Sequence, residues 1–247
     1  MAQSEVTKRF FTETGIEVPS VTSDQMREVD RIALEETGPN LFQMMENAGR
    51  NLALLTIELL GKGWDKKRVL VLAGSGGNGG GGICAARHLA NRNMNVKLCL
   101  ADPNRLGEVP LFQWKIFRFT SGKEIEVTKL GEESVDLILD ALIGYGLNSA
   151  PRGTFAELIK WANGTNAPIL ALDLPSGVNA TTGQTPGESV HPRWTMTLAL
   201  PKKALLPEKT GELFLADIGI PEGTYRRVGL NYITPFGNRS WVPLVCQ

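Results

Sequence analysis

The apolar run VLVLA at 69–73 passes directly into GSGGNGGGG at 74–82, and that into ICAARHLA at 83–90. An unbroken apolar run of this length suits a strand buried on both faces of a parallel sheet. Glycine costs roughly 0.5–1 kcal/mol against alanine inside a regular element, so seven glycines in nine positions need a reason. A strand-to-helix turn supplies one, because backbone N–H groups and a helix N-terminus there can take a phosphate. GSGGNG also satisfies G-x-G-x-x-G, although a plain structural turn would satisfy it too. Asp102 stands near the end of the next apolar run, where a dinucleotide ribose would want an acid. Against an ordinary dehydrogenase, residues 1–67 precede the first such strand, and two later strand ends carry polar clusters, Asp140 with GYG and Asp173 with PSG.

The rest of the chain alternates in the same way. Thr22 to Gln25 has the form of a capping box, followed at helical spacing by Met26, Val29, Ile32 and Ala33. A second helical pattern runs from Leu41 through Met44, Met45, Ala48 and Leu52 to Leu60, with Gly61 and Gly63 as its stop. Strands are predicted at NVKLCL (95–100), DLILDAL (136–142), PILALDLP (168–175), TMTLAL (195–200) and ELFLADI (212–218). Helices are predicted at 83–93 and 154–162, and 106–119 reads as a helix less distinctly. Such repetition implies right-handed crossovers and an α/β fold with a mostly parallel, doubly wound sheet. Residues 1–20 read as a loosely held arm, 21–221 as the domain, and 222–247, which lack periodicity, as a surface tail.

Lys plus Arg and Asp plus Glu each number 26, with no basic stripe interleaved with aromatics, which argues against nucleic acid. No apolar run reaches about 18 residues, which argues against a membrane span. Cys84, Cys99 and Cys246 have no CxxC spacing. Two of them sit in apolar periodic segments and read as buried thiols, which suits a reducing compartment, hence a cytoplasmic location.

Several clusters combine into one pattern: Met45–Gly49 (MENAG), Gly74–Gly80, Asp140–Leu147 (DALIGYGL), Asp173–Gly177 (DLPSG) with Thr182-Gly183, Pro201-Lys202 and Ile218–Pro221. In order and spacing this resembles the YjeF N-terminal domain family, the NAD(P)H-hydrate epimerases, over about Val21 to Pro221. The resemblance implies a three-layer α/β/α Rossmann-like sandwich, a homodimer, and interconversion of the R and S forms of NADHX and NADPHX, with a separate NAD(P)H-hydrate dehydratase repairing the S form. It also implies one potassium ion per subunit on Asn78, Asp140 and Ser176, an oxygen set suited to a hard, weakly charged cation. Asp173 and Asp140 are the expected catalytic acids. Substrate contacts fall on Gly76, Gly77, Asn78, Gly79, Gly80 and Gly81, on Gly144, Tyr145, Gly146, Leu147 and Asn148, and on Asp173. By themselves, both aspartates could equally be helix caps or turn residues. His88 reads as a packing residue and Lys202 as a surface charge.

The chain departs from the family pattern in places. Gly77 stands where an Asn is usual and Gly81 where an Asp is usual, which predicts a less negative, slightly wider pocket at Gly81. Arg193 replaces an acid, and a lysine common after the second strand is missing from ADPNRLGE. Lost polar contacts can leave binding intact while removing catalysis. The alternative expectation is therefore a catalytically impaired nucleotide-binding or protein-interaction domain of the same fold, a role attributed to related domains in mRNA decapping.

Overall fold

A computed structural model describes residues 8–247. Its strands are β1 (Phe10–Thr12), β2 (Glu17–Val18), β3 (Arg68–Ala73), β4 (Asn95–Leu100), β5 (Lys123–Glu124), β6 (Leu137–Ala141), β7 (Ile169–Leu172), β8 (Trp194–Leu198), β9 (Glu212–Ala216) and β10 (Trp241–Cys246). They form one sheet in the order β2-β1-β10-β9-β8-β7-β6-β3-β4-β5. From β9 to β5 each neighbouring pair is parallel, whereas β10, β1 and β2 pair antiparallel.

The helices are α1 (Ser23–Ile32), α2 (Leu41–Leu60), α3 (Gly77–Ala90), α4 (Glu108–Phe117), α5 (Thr154–Asn163), and the short α6 (Pro207–Thr210) and α7 (Glu222–Arg227). Strand β3 shows why its sequence is apolar at successive positions. Val69 and Val71 belong to a core with Leu52 and Leu55 of α2 and Ile83 and Leu89 of α3. Leu70 and Leu72 belong to another with Leu158 and Ile159 of α5. Both faces are covered, which gives the α/β/α layering. The capping box forms at α1: Gln25 N–H donates to Thr22 Oγ1 at 3.2 Å and Thr22 N–H to Gln25 Oε1 at 2.9 Å. Helix α2 stops at Gly61, whose φ of 64° continues no helix. Among the described residues no helix is long and apolar enough to cross a membrane.

Both chain ends differ from expectation. Residues 1–7 of the expected arm lie outside the described residues, but the rest of it is built into the sheet, with Phe10 opposite Cys246 and fully buried. Residues 222–247 supply α7 and β10, whose Val242 and Leu244 are buried. Strand β10 (WVPLVC) is apolar or proline at every position although its burial alternates, and β1 has only three residues, so neither shows a period of two in its sequence.

The glycine run also differs, because most of it is helix. Helix α3 begins at Gly77, and four further glycines, Gly79–Gly82, lie within it. A Cβ on Gly79 would lie 1.8 Å from the carbonyl oxygen of Gly74, and one on Gly80 would lie 2.3 Å from Met45 Sδ. Bare backbone here lets α3 sit hard against the end of β3 and against α2.

Candidate functional site

Strands β3 and β6 are sheet neighbours although β4 and β5 lie between them in the chain. The winding reverses at that point, where open α/β sheets leave a crevice beyond the strand ends. A cavity of about 950 Å³ opens there, lined by Ser75–Asn78 after β3, by Gly144–Asn148 after β6, by Asp173 after β7 and by Asp30 of α1. The three strand ends singled out in the sequence therefore meet at one place.

The helical period sorts the glycines. Gly76, Gly77, Asn78 and Gly81 line the cavity, and a Cβ at Gly76 or Gly77 would meet nothing within 4 Å. Gly79 and Gly80, expected as substrate contacts, point into packing instead. At Gly81 the expected extra width is taken up by Leu172, whose Cδ2 lies 2.8 Å from where a Cβ would be. Gly144, Tyr145, Gly146, Leu147 and Asn148 all line the cavity.

Asp173 follows β7 with φ of 67°, a left-handed conformation that aspartate tolerates better than most residues. Its N–H donates to Met196 O at 2.7 Å. Oδ1 accepts from Lys202 Nζ, from Leu198 N–H at 3.3 Å and from Thr197 Oγ1 at 3.4 Å. Among the described residues no donor reaches Oδ2, which makes that oxygen free to meet a ligand.

Lys202 is not the surface charge its sequence suggests. Its side chain is 1% exposed, paired with Asp173, and also donates to Leu198 O at 3.0 Å. The extended segment after β8 is pinned by Val21 N–H donating to Pro201 O at 2.9 Å, which turns the lysine inward. On the far side of this cation, 5.9 Å away, lies the ring of Tyr145. The Tyr145 hydroxyl donates to Asp30 Oδ2. Burial raises the Asp30 pKa, opposed by the Tyr145 hydrogen bond and by Lys202. Asp30 was missed in the sequence, though a signal existed: it stands four residues after buried Met26, toward the face that α1 buries.

Asp140 is fully buried and does not line the cavity. Oδ1 accepts from Ser176 Oγ at 2.6 Å and Leu142 N–H at 3.2 Å, and Oδ2 from Ser176 N–H at 2.8 Å. It cannot touch a ligand in the cavity, which corrects its expected role as a catalytic acid. Burial pushes its pKa up to about 6 against these donors, with no side-chain cation contributing. Ser176 Oγ also accepts from Ile143 N–H at 2.8 Å. Asn78 lies against Gly144, and both its amide oxygen and its amide nitrogen are buried without a partner among the described residues. An uncompensated buried carboxylate, a hydroxyl and an orphaned amide oxygen form a donor set that fits a monovalent cation.

A second polar cluster joins α2, α3 and α4. Glu46, Cys84 and His88 place ligand-type atoms within 4.8 Å of one another. Arg87 Nη2 reaches Glu46 Oε1 at 2.7 Å and Cys84 Sγ at 3.4 Å, so a guanidinium already supplies the positive charge. Burial works against the Glu46 carboxylate, yet the Arg87 and His88 hydrogen bonds hold its pKa at about 2. His88, 2.7 Å from Glu46, is a satisfied structural residue, as expected.

Two departures from the family pattern change meaning in three dimensions. Arg193 precedes β8, packing over Trp194 at 4.6 Å, at the opposite end of the strand from the cavity. Within ADPNRLGE, Arg105 lines the cavity, as does Arg152, and neither has a carboxylate within 4.0 Å among the described residues.

The family model described as YjeF-related protein N-terminus matches residues 41–204. A protein of Dehalogenimonas lykanthroporepellens named NAD(P)H-hydrate epimerase is 53% identical, across 92% of this chain and 94% of its own. A Moorella thermoacetica protein named bifunctional NAD(P)H-hydrate repair enzyme Nnr is 35% identical, across 82% of this chain and 41% of its own. The crystal structure of the yeast protein ynu0 shares the fold, with a TM-score of 0.80 at 21% identity, covering 92% of this chain and all of that one. With that family model matching residues 41–204 and a relative 53% identical over nearly the whole chain, the chain belongs to the YjeF-related protein N-terminus family.

Proposed function

We propose that this protein is an NAD(P)H-hydrate epimerase, interconverting the R and S forms of NADHX and NADPHX for metabolite repair. The observation that carries the reading is the free Oδ2 of Asp173, a buried carboxylate at the floor of a dinucleotide-sized cavity, with Lys202 fixing its other oxygen. The reacting carbon of these substrates, C6, carries a hydroxyl whose departure and return both require proton transfer. A positioned carboxylate contributes to such transfers on the order of 10²–10⁴-fold. The glycine-lined start of α3, with Arg105 and Arg152 on the cavity wall, suits the pyrophosphate.

Asn78, Asp140 and Ser176 would hold one potassium ion per subunit. Held by these residues, it would give Asp140 a countercharge and tie the loop after β6 to the start of α3. A homodimer is the proposed assembly, on the N-terminal helices and the neighbouring α4: Leu34 and Leu41 are exposed, as is Phe112 of α4, on which Phe42 of α2 packs edge-to-face at 5.3 Å. Light scattering at micromolar concentration should report twice the chain mass. The free cysteines suit a cytoplasmic setting, where a separate dehydratase would consume the S form.

The deciding experiment incubates purified protein with resolved R-NADHX and separates the epimers by chromatography. Approach to an R/S mixture faster than the uncatalysed rate supports the reading. Binding of NADPH without any acceleration would favour the impaired, interaction-only domain, for which the changes at Gly77 and Gly81 are the grounds.

A further inference from the structure

Epimerisation by loss and return of a hydroxyl needs proton exchange at two places, because the oxygen leaves one face of C6 and rejoins the other. Asp140 cannot serve as the second group, since it is sealed beneath Ser176. The cavity holds another carboxylate. Asp30, Tyr145, Lys202 and Asp173 form one polar chain: the Tyr145 hydroxyl donates to Asp30, Lys202 Nζ lies 5.9 Å from the Tyr145 ring, and Lys202 pairs with Asp173. All four residues line the cavity. The two carboxylates sit in different company, Asp173 against an ammonium and Asp30 against a phenol.

We propose that the Tyr145 hydroxyl, backed by Asp30 as its proton store, is the second acid–base group of the reaction, working against Asp173 from the other end of this chain. The inference rests on the epimerase reading. In one direction, with Asp30 protonated, the Tyr145–Asp30 hydrogen bond reverses: the Asp30 carboxyl donates to the Tyr145 oxygen, Tyr145 gives its own proton to the C6 hydroxyl, and the Asp30 proton refills it. The C6–O bond breaks, water leaves, and the N1 lone pair forms an N1=C6 iminium. A water then adds to the opposite face, the π electrons return to N1, and the water's extra proton passes to Asp173 Oδ2. Water lost equals water gained, nothing is oxidised, and one proton has moved from Asp30 to Asp173. The reverse epimerisation moves it back, and exchange with solvent resets the pair otherwise. Burial, which raises the Asp30 pKa, favours the loaded form of the store. Pairs of titratable groups held in contrasting environments are the usual basis for dividing acid from base roles.

Tyr145→Phe and Asp30→Asn are near-isosteric, and Asp30→Asn still accepts the Tyr145 hydrogen bond. With R-NADHX, each should slow epimerisation about 100-fold or more, while the Kd for NADPH by calorimetry stays within about threefold. Asp30→Glu should recover part of the rate. The double variant should be no slower than the slower single one, since the two act in series, and thermal melting confirms that each variant is folded. In H₂¹⁸O the wild-type product should carry ¹⁸O at C6. Wild-type turnover with both variants within threefold of it would overturn this inference and leave the epimerase standing. Turnover without ¹⁸O uptake would overturn the water-addition step and the two-site exchange with it. A wild type that binds NADPH but never turns over would remove both readings.

Discussion

Ser176 hydrogen-bonds both oxygens of Asp140, its Oγ donating to Oδ1 at 2.6 Å and its backbone N–H to Oδ2 at 2.8 Å. The carboxylate is buried with hydrogen bonds but no countercharge. Its pKa is pushed from 3.8 up to about 6. Between those pH values the folded chain holds a proton that the unfolded chain has lost, so this group's contribution to stability is complete below about pH 4. It falls as pH rises toward 6 and is gone above. At about 1.4 kcal/mol for each pH unit separating the folded and unfolded values, the loss is on the order of 3 kcal/mol. Urea melts in a potassium-free buffer should show that slope, and Asp140→Asn should flatten it. Equal pH dependence in both proteins would contradict the assignment.

Asn78 offers a complementary test. A buried amide without partners costs about 1–3 kcal/mol, and alanine is favourable in the first turn of a helix. Without potassium, Asn78→Ala should therefore be as stable as the wild type or more so. With potassium, the wild type should gain melting temperature and the variant should not. A potassium response that survives the substitution would place the ion elsewhere.

Lys202 and Asp173 are coupled through burial. Removing one partner of a buried pair leaves an uncompensated charge, typically costing about 3–5 kcal/mol. Lys202→Met should destabilise the fold by about that much, and adding Asp173→Leu should restore most of it. Additive losses in this double-mutant cycle would show that the two residues are independent.

Neighbouring glycines of α3 should behave in opposite ways. Gly79→Ala drives a methyl into the Gly74 carbonyl. Only a backbone shift can relieve this, so a loss of at least about 2 kcal/mol is expected. Gly77→Ala meets open space and should be neutral or stabilising by up to about 1 kcal/mol, while weakening NADPH binding because the methyl enters the cavity. Thermal melts and calorimetry on the pair separate the two effects.

The fold was legible where burial is two-sided and periodic. The parallel strands β3, β4, β6, β7, β8 and β9 stand out as apolar runs because helices cover both faces, whereas the exposed two-residue β5, Lys123–Glu124, gives no such signal. Thr22 with Gln25 marks a helix start by chemistry that acts within four residues. Legibility failed where partners are remote. The start of α3 is hidden because glycine has no helical preference to betray it, and its role depends on Met45 and the Gly74 carbonyl. Lys202 sits in a sequence as charged as any surface, and only the bridge to Val21 turns it inward. Asp140 and Asp173 look alike in sequence, each at a strand end before a glycine turn, yet the donors around Ser176 seal one and leave the other open.

The antiparallel end of the sheet bears on the order in which the molecule can assemble. Among the described residues strand β1 has two neighbours, the two-residue β2 and β10, so its more substantial partner is made after all the other strands described here. As the chain leaves the ribosome, the parallel strands can dock as they emerge, whereas Phe10 has no strand to bury against until residues 241–246 arrive. Until then the first strands and the exposed side of β9 remain open edges. The interval between synthesis of the glycine helix and synthesis of β10 is therefore when this protein is most exposed to mispairing with its neighbours.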